Sequence, residues 1–392
     1  SNITYAGSLR RGKETIGDID ILASTDEPAI LIKAFCEDKD VEKVLAKGET
    51  KCSIRVKKGM QIDLRVVDRK TFGAALLYFT GSKEHNIILR ERAIDQDKKL
   101  NEYGLFESGS EVNDSSSTEE EIYSSLSLPW IPPEIREDRG ELSCKKIPRL
   151  VEINDIRCDL HCHTTASDGQ MSIQELAHHA IERGFHTIAV TDHSQSQGQA
   201  NGLKADRLRK HIDAIREANE NIEGITILAG TEVDIHPDGT LDYDDDLLAQ
   251  LDIIVASPHS ALNQSPDDAT KRLIAAIEHP LVHIIGHPTG RIINKRKGLE
   301  PDIMALVSAA KEHSTALELN ANYYRLDLKD THVRAVCEGG ALLAINTDAH
   351  RPEDFNQLQY GILTARRGWA TPSNCINCLE HDKLLAWLRS KC

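Results

Sequence analysis

From about residue 156 onward, short apolar runs recur, with stretches of helical period between most of them. The runs lie at 187–190, 225–228, 253–256, 282–285, 316–319 and 342–345, and the helical stretches include 173–183, 206–219 and 301–313. This alternation predicts parallel strands with crossover helices. Roughly six or seven such units in about 235 residues would close a barrel or come near to it.

The residues that follow these runs are of one chemical kind. The run at 157–160 leads into His161, His163 and Asp168, and TIAVT leads into Asp192 and His193. ITILAG precedes Glu232, DIIVASP precedes His259, HIIG precedes His287, and LLAIN precedes Asp348 and His350. In a parallel barrel the C-terminal strand ends share one face, so imidazoles and carboxylates gather at one opening. Imidazole nitrogen with carboxylate oxygen suits zinc, manganese or iron better than calcium. His161 and His163 lie at i and i+2, on one side of a regular strand. The candidate ligands His161, His163, Asp168, His193, Glu232, His259, His287, Asp348 and His350 exceed one tetrahedral site. They are enough for two or three ions, with Glu232 placed to bridge. Such ions activate a shared water and clamp a phosphate. Other histidines, His211 among them, follow no run and read as structural. Cys375 and Cys378 form a lone CxxC and read as ordinary thiols.

CDLHCHTTASDG, TDH, GTEVDIHPDG, SPHS, GHPTGR and INTDAH together resemble the polymerase-and-histidinol-phosphatase (PHP) domain. The resemblance covers residues 156–392. It implies a distorted (β/α)7 barrel with up to three zinc, manganese or iron ions, hydrolysing phosphate esters. Every ligand position of that family is filled.

The start of the chain carries a second constellation, GSLRRGKETIGDID. Asp18 and Asp20 are at i and i+2 of an expected strand at 18–23, so both carboxylates face one way. Paired carboxylates attract magnesium, and Asp63, inside the strand QIDLRVV at 61–67, could complete a two-ion site. Gly7 and Ser8 at a helix start suit a triphosphate, and Arg11 would add charge-assisted hydrogen bonds. A helical stretch is expected near 28–46.

This pattern resembles the nucleotidyltransferase palm of family X DNA polymerases, the DNA polymerase beta relatives. LLYFTGSKEHN resembles that family's nucleotide-binding turn, and KLNEYGLF and the segment from EEEIYSS to DRGEL resemble its thumb. The resemblance implies that Asp18, Asp20 and Asp63 form the catalytic magnesium triad and that Gly7, Ser8 and Arg11 contact the incoming triphosphate. It implies that Tyr78, Phe79, Gly81 and Asn86 line the sugar and base. Gln61 and Lys83 stand where animal members carry an arginine and an acidic residue, which implies altered contacts there. The family's lyase and fingers regions would precede residue 1, so the chain reads as a piece of a longer protein.

The expected organisation is therefore an α+β palm over 1–88, a small helical and mixed thumb over 89–138, a linker over 139–155 and the PHP barrel over 156–392. The implied activities are DNA polymerisation for gap-filling repair and metal-dependent 3′→5′ exonuclease action, with abasic-site cleavage a further option. The partners implied are gapped or 3′-recessed primer-template DNA and deoxynucleoside triphosphates, with the protein a monomer. A stand-alone phosphoesterase for small esters and a non-catalytic DNA-end binding module stay open as alternatives. The net charge of −15 argues against a broad nonspecific nucleic-acid surface, though metal-holding carboxylates contribute to it. Lys51, Arg55, Lys57, Lys58, Arg65, Arg69 and Lys70 nevertheless surround Asp63, and could hold template phosphates. Nine cysteines without a framework suit a reducing cytoplasm, and a nucleoid-associated prokaryotic location follows from the proposed activity. No apolar run is long enough to span a membrane.

Overall fold

The computed structural model describes residues 2–107 and 116–391. The chain divides into two compact units, Ser1–Pro148 and Arg149–Cys392.

The first unit is built on a five-stranded sheet in the order Asn2–Tyr5, Asp18–Ser24, Gln61–Val66, Lys51–Val56, Val41–Lys47. Only the central pair, Asp18–Ser24 with Gln61–Val66, is parallel. Its register sets Asp20 directly across from Asp63. Ala23, Ile32, Cys52, Ile54, Leu64 and Val66 form the core between this sheet and the helix Pro28–Cys36. That helix is shorter than the stretch expected at 28–46. Asp40 N–H bonds to Asp38 Oδ1 at 2.9 Å in the turn after it, and Val41–Lys47 then pairs antiparallel with Lys51–Val56. Strand pairing thus overrides the helical propensity of the second half.

Helices Phe72–Thr80 and Lys83–Ile94 follow, then a hairpin of Lys98–Asn101 and Gly104–Glu107. Of the serine and glutamate cluster at 115–121, Ser115 lies outside the described residues. Glu119–Ser125 is a helix, started by Thr118 and Glu121 in a capping box. Glu119 is 4% exposed, and accepts paired hydrogen bonds from Arg10 (2.6 and 2.8 Å) and Arg136 (2.6 and 2.9 Å). The stretch 139–155 divides between the units: Glu141 is buried against His85 at 2.7 Å in the first, and Leu150 and Val151 are buried in the second.

The second unit is a seven-stranded all-parallel sheet in sequential order. Its strands are Cys158–Asp159, Thr187–Val190, Thr226–Asp234, Ile253–Ser257, Ile284–Ile285, Ala316–Asn320 and Leu342–Asn346. Side chains alternate as a curved parallel sheet requires. Ile253 and Val255 join an inner cluster with Leu228, Ile284 and Leu384, whereas Ile254 and Ala256 pack among the residues of the outer helices. First and last strands do not form a regular ladder. A single bridge joins Cys162 to Ala349, and Asn377 bonds both strands, accepting from Ile345 N at 2.7 Å and donating to Cys158 O at 3.1 Å. The barrel is therefore nearly closed, with the CxxC segment as its seam. Among the described residues, no helix is long and apolar enough to cross a membrane.

Candidate metal centre and palm site

All the imidazoles and carboxylates that follow the apolar runs meet at one end of the barrel. Four groups of ligand atoms each lie within 4.8 Å of one another: His163, Asp168, His193 and His350; His161, Glu232 and His287; His161, His163 and Asp348; His193, Glu232 and His259. Glu232 occurs in two of these groups, with Oε2 2.7 Å from His193 Nδ1 and Oε1 2.8 Å from His287 Nε2. It does not follow its strand, as its sequence position suggested, but lies inside the longer strand Thr226–Asp234. No group of this kind includes Cys375 or Cys378 among the described residues.

Two ligands sit on unusual backbone. His287 has φ 26° and Asp348 has φ 55°, a region costly for residues with a Cβ. Surrounding bonds hold them there. His287 N–H donates to Glu318 Oε2 at 2.7 Å, and Asn320 Nδ2 donates to Asp348 Oδ2 at 3.0 Å. Beside His287, a Cβ on Gly286 would come within 2.3 Å of Ser257 Oγ, so only glycine lets the two strand ends approach.

The electrostatics fit cations. Burial raises the Glu232 carboxyl, but His259, His161 and His193 outweigh it and hold it well below the carboxylate range. Burial also raises Asp348, and His161 with His163 and His350 overcome it in the same way. His163 is pushed down to about 4, first by burial and then by His350 and His193, which keeps its ring neutral and able to ligate. The buried atoms His161 Nε2, His163 Nδ1 and Nε2, His193 Nδ1, Glu232 Oε2, His287 Nδ1 and Asp348 Oδ1 have no hydrogen-bond partner. Buried polar atoms without partners are costly. The residues that bear them are those of the four groups, each of which offers one ligand atom within 4.8 Å of the others, as ligands around cations would.

A surrounding layer of polar residues was not singled out from the sequence. Glu318 bonds His161 Nδ1 at 2.8 Å, and Asp234 bonds His259 Nδ1. Asp192 accepts from Thr164 N at 2.9 Å, Ser167 N at 3.2 Å and His211 Nε2 at 2.7 Å, anchoring the loop that carries Asp168. His211 thus supports the site through Asp192. The available signal was Glu318 itself, a lone carboxylate inside the apolar run ALELN.

In the first unit, Asp18 and Asp20 share one face of their strand, with Asp63 beside Asp20. Burial, then Asp18 and Asp63, raise the Asp20 carboxyl, and Arg11 and Arg65 offset this only in part. The three do not form a ligand cluster within 4.8 Å among the described residues. Asp63 instead accepts hydrogen bonds from Ser53 Oγ and from Gln61 Nε2, the latter at 2.9 Å. Gly7 and Ser8 begin the single turn Gly7–Arg10, and Gly7 takes φ 61° so close to Asp20 that a Cβ would meet Oδ2 at 2.1 Å. Arg11 bonds Thr80 O at 2.5 Å and Glu137 at 3.0 Å, with its guanidinium beside Gly81. Phe79 lines one cleft with Asp20, Asp63 and Arg65, whereas Tyr78 and Asn86 line a separate small pocket.

Residues 75–137 match the DNA polymerase beta thumb family, and residues 159–331 match the PHP domain. Over 387 residues, 98% of the chain, it is 42% identical to the DNA polymerase/3′-5′ exonuclease PolX of Bacillus subtilis (strain 168), of which it spans 68%. The chain belongs to the PolX group of family X DNA polymerases. A probable phosphatase of Thermoanaerobacter sp. (strain X514) is 30% identical over 244 residues, 59% of this chain and 94% of that protein, a length that fits the PolX chain's second unit. A ternary complex of Leishmania infantum polymerase beta is 26% identical and covers 35% of the chain and 67% of its own, with a TM-score of 0.29, too low to carry the fold.

Proposed function

We propose that this PolX chain combines DNA-directed DNA polymerisation, in its first unit, with metal-dependent 3′→5′ phosphodiester hydrolysis, in its second, for gap-filling repair. The observation that carries the hydrolytic half is the gathering of His161, His163, His193, Glu232, His287 and Asp348, each with a buried atom lacking a partner, into groups of ligand atoms within 4.8 Å at one end of the barrel. Zinc, manganese or iron ions held by the nine histidines and carboxylates would neutralise charge developing on a phosphodiester and make water a stronger nucleophile at neutral pH. Neutral His163 and ionised Glu232 and Asp348 could ligate directly, whereas burial lowers His161, His259 and His350 but the neighbouring carboxylates outweigh it and raise them, so these would release protons as a cation binds.

In the palm, Asp18, Asp20 and Asp63 would hold two magnesium ions, which lower the pKa of the primer 3′-hydroxyl and offset triphosphate charge. The hydroxyl oxygen bonds to the α-phosphorus, its proton passes to a carboxylate, and the bond to the β-phosphate breaks to release pyrophosphate. Asp63, which accepts hydrogen bonds from Ser53 and Gln61, would take that proton. Gly7, Ser8 and Arg11 would seat the triphosphate, and Tyr78, Phe79, Gly81 and Asn86 the sugar and base. The working partners are gapped primer-template DNA and deoxynucleoside triphosphates, met by a monomer in the cytoplasm.

A paired assay tests this reading. Labelled gapped duplex is incubated with magnesium and nucleotides, and a labelled 3′ end with manganese alone. Extension in the first and stepwise shortening in the second are expected. Turnover of small phosphate monoesters with neither DNA reaction would overturn it in favour of a phosphoesterase like the probable phosphatases.

A further inference from the structure

The rim of the barrel cage carries a surface that the hydrolytic chemistry does not use. Tyr323 and Tyr324 follow the strand Ala316–Asn320 and are 47% and 51% exposed. Their ring centroids lie 4.2 Å apart, and Tyr360, 40% exposed, stands 6.0 Å from Tyr323 at 69°. Isolated exposed aromatics need no explanation. Here Tyr323 contacts both of the others, and the group is bordered by cations. Lys295 Nζ sits 5.5 Å from the Tyr324 ring centre. Arg325, the next residue, reaches inward with Nε 4.0 Å from Asp348 Oδ2, at the edge of the cage.

The backbone that carries the platform is anchored. Tyr323 N–H donates to Gln357 Oε1 at 3.0 Å, and Tyr324 N–H to Asn322 Oδ1 at 3.0 Å. Tyr324 O accepts from Ile293 N at 2.7 Å, and Arg325 N–H donates to Asn322 O at 2.8 Å. Asn320, two residues before Asn322, holds Asp348. The strand end that holds Asp348 therefore runs straight into the platform. Arg296 adds a second guanidinium near Arg325, their mutual repulsion lowering Arg296 after the effect of burial.

We propose that Tyr323 and Tyr324, with Tyr360 behind them, stack the unpaired bases of a DNA 3′ end, and that Arg325 holds the backbone phosphate that enters the cage. This rests on the hydrolytic reading of the second unit. Every base offers a π-face, so exposed and adjacent rings on an anchored backbone grip a strand without reading its sequence. A planar guanidinium binds a phosphate through paired hydrogen bonds. Arg325 is the one cation of this patch paired with a cage carboxylate, so a strand stacked on the rings passes it next. A small phosphate ester would meet the cage but not the rings.

The test compares two single-stranded oligonucleotides that carry a terminal phosphorothioate for binding and a normal linkage for turnover. One bears all its bases, and in the other the 3′-terminal nucleotides are abasic. The parent should prefer the base-bearing strand by about tenfold in Kd, measured by fluorescence anisotropy, and in KM. The double variant Tyr323→Ala, Tyr324→Ala should lose that preference, whereas Tyr323→Phe, Tyr324→Phe should retain it. Arg325→Ala should weaken both strands alike and lower the salt dependence of binding. A preference that survives the alanine pair, in protein with parental circular dichroism and metal content, overturns the platform. Loss of the preference in Kd without shortening of either strand by the parent would leave the platform standing and remove the hydrolytic reading instead.

Discussion

Glu318 Oε1 lies 2.8 Å from His161 Nδ1, and this bond turns the opposite ring nitrogen toward Glu232 Oε1 and Asp348 Oδ1, 3.4 and 3.7 Å away. The same carboxylate accepts from His287 N and from Asn346 Nδ2. It therefore orients two ligands and a strand end without joining the cage. Outer carboxylates of this kind fix the ligand tautomer and raise its basicity. Glu318→Gln should weaken metal binding by about tenfold to a hundredfold. Calorimetric titration of chelator-treated protein, with metal analysis per chain, checks this. Unchanged affinity in the variant would reduce Glu318 to a packing role.

In the palm, the pairing of Asp20 with Asp63 across the parallel strands makes a separate prediction. Asp20→Asn should reduce nucleotide addition to background while 3′-end shortening continues at the parental rate. Gly7→Ala should act on the same reaction by steric means, because the added carbon falls 2.1 Å from Asp20 Oδ2 at a backbone φ of 61°. Primer extension and end-shortening assays on the same preparations separate the activities. If either change abolished both in a folded protein, the two sites could not be independent.

The cage was legible because each ligand follows an apolar run, even Glu232, whose strand continues past it, and parallel topology gathers strand ends. The ligands themselves needed no tertiary knowledge. Glu318 was hidden for a related reason: it lies within a run, where a side chain's inward or outward direction depends on register. Asp192 and His211 meet across 19 residues, a contact that only packing of the helix Ala205–Asn221 creates. The error at 37–46 has a local origin. AFCEDKDVEKVLAK has residues that suit a helix, but the Asp38 turn and the partner strand decide the outcome. At the palm, sequence placed the three aspartates on one sheet face, whereas the bonds from Ser53 and Gln61 to Asp63 depend on cross-strand register.

Removing metal should destabilise the second unit selectively. Its partnerless buried nitrogens and oxygens have cations as their natural partners. A ligand present at a hundred times its Kd stabilises the folded state by about 2.7 kcal/mol, which for a unit of this size corresponds to a melting shift of roughly 5–10 °C. Differential scanning calorimetry before and after dialysis against a chelator should show that fall in one transition, restored by manganese or zinc. The transition of the first unit, which holds none of the cage residues, should move little. Equal shifts in both transitions, or none, would contradict a metal cage of this composition.

The first unit carries its own pH dependence through Glu119. Burial raises this carboxyl, but Arg136 and Arg10 overcome the effect and hold it at about 2, below its ordinary value of 4.5. A folded-state value below the unfolded one means the ion pairs stabilise fully above about pH 4.5 and lose their effect as pH falls toward 2. The difference corresponds to on the order of 3 kcal/mol. Glu119→Gln should therefore cost about that much at pH 7, since Arg136 would stay buried with its charge uncompensated. The gap between parent and variant should narrow steadily below pH 4.5. Trp130, whose Nε1 donates to Glu119 Oε2 at 3.3 Å, reports the transition in urea once Trp369 and Trp387 are replaced by phenylalanine. A gap that stayed constant from pH 7 to pH 3 would mean that the carboxylate's charge contributes nothing and that the variant's loss is one of packing alone.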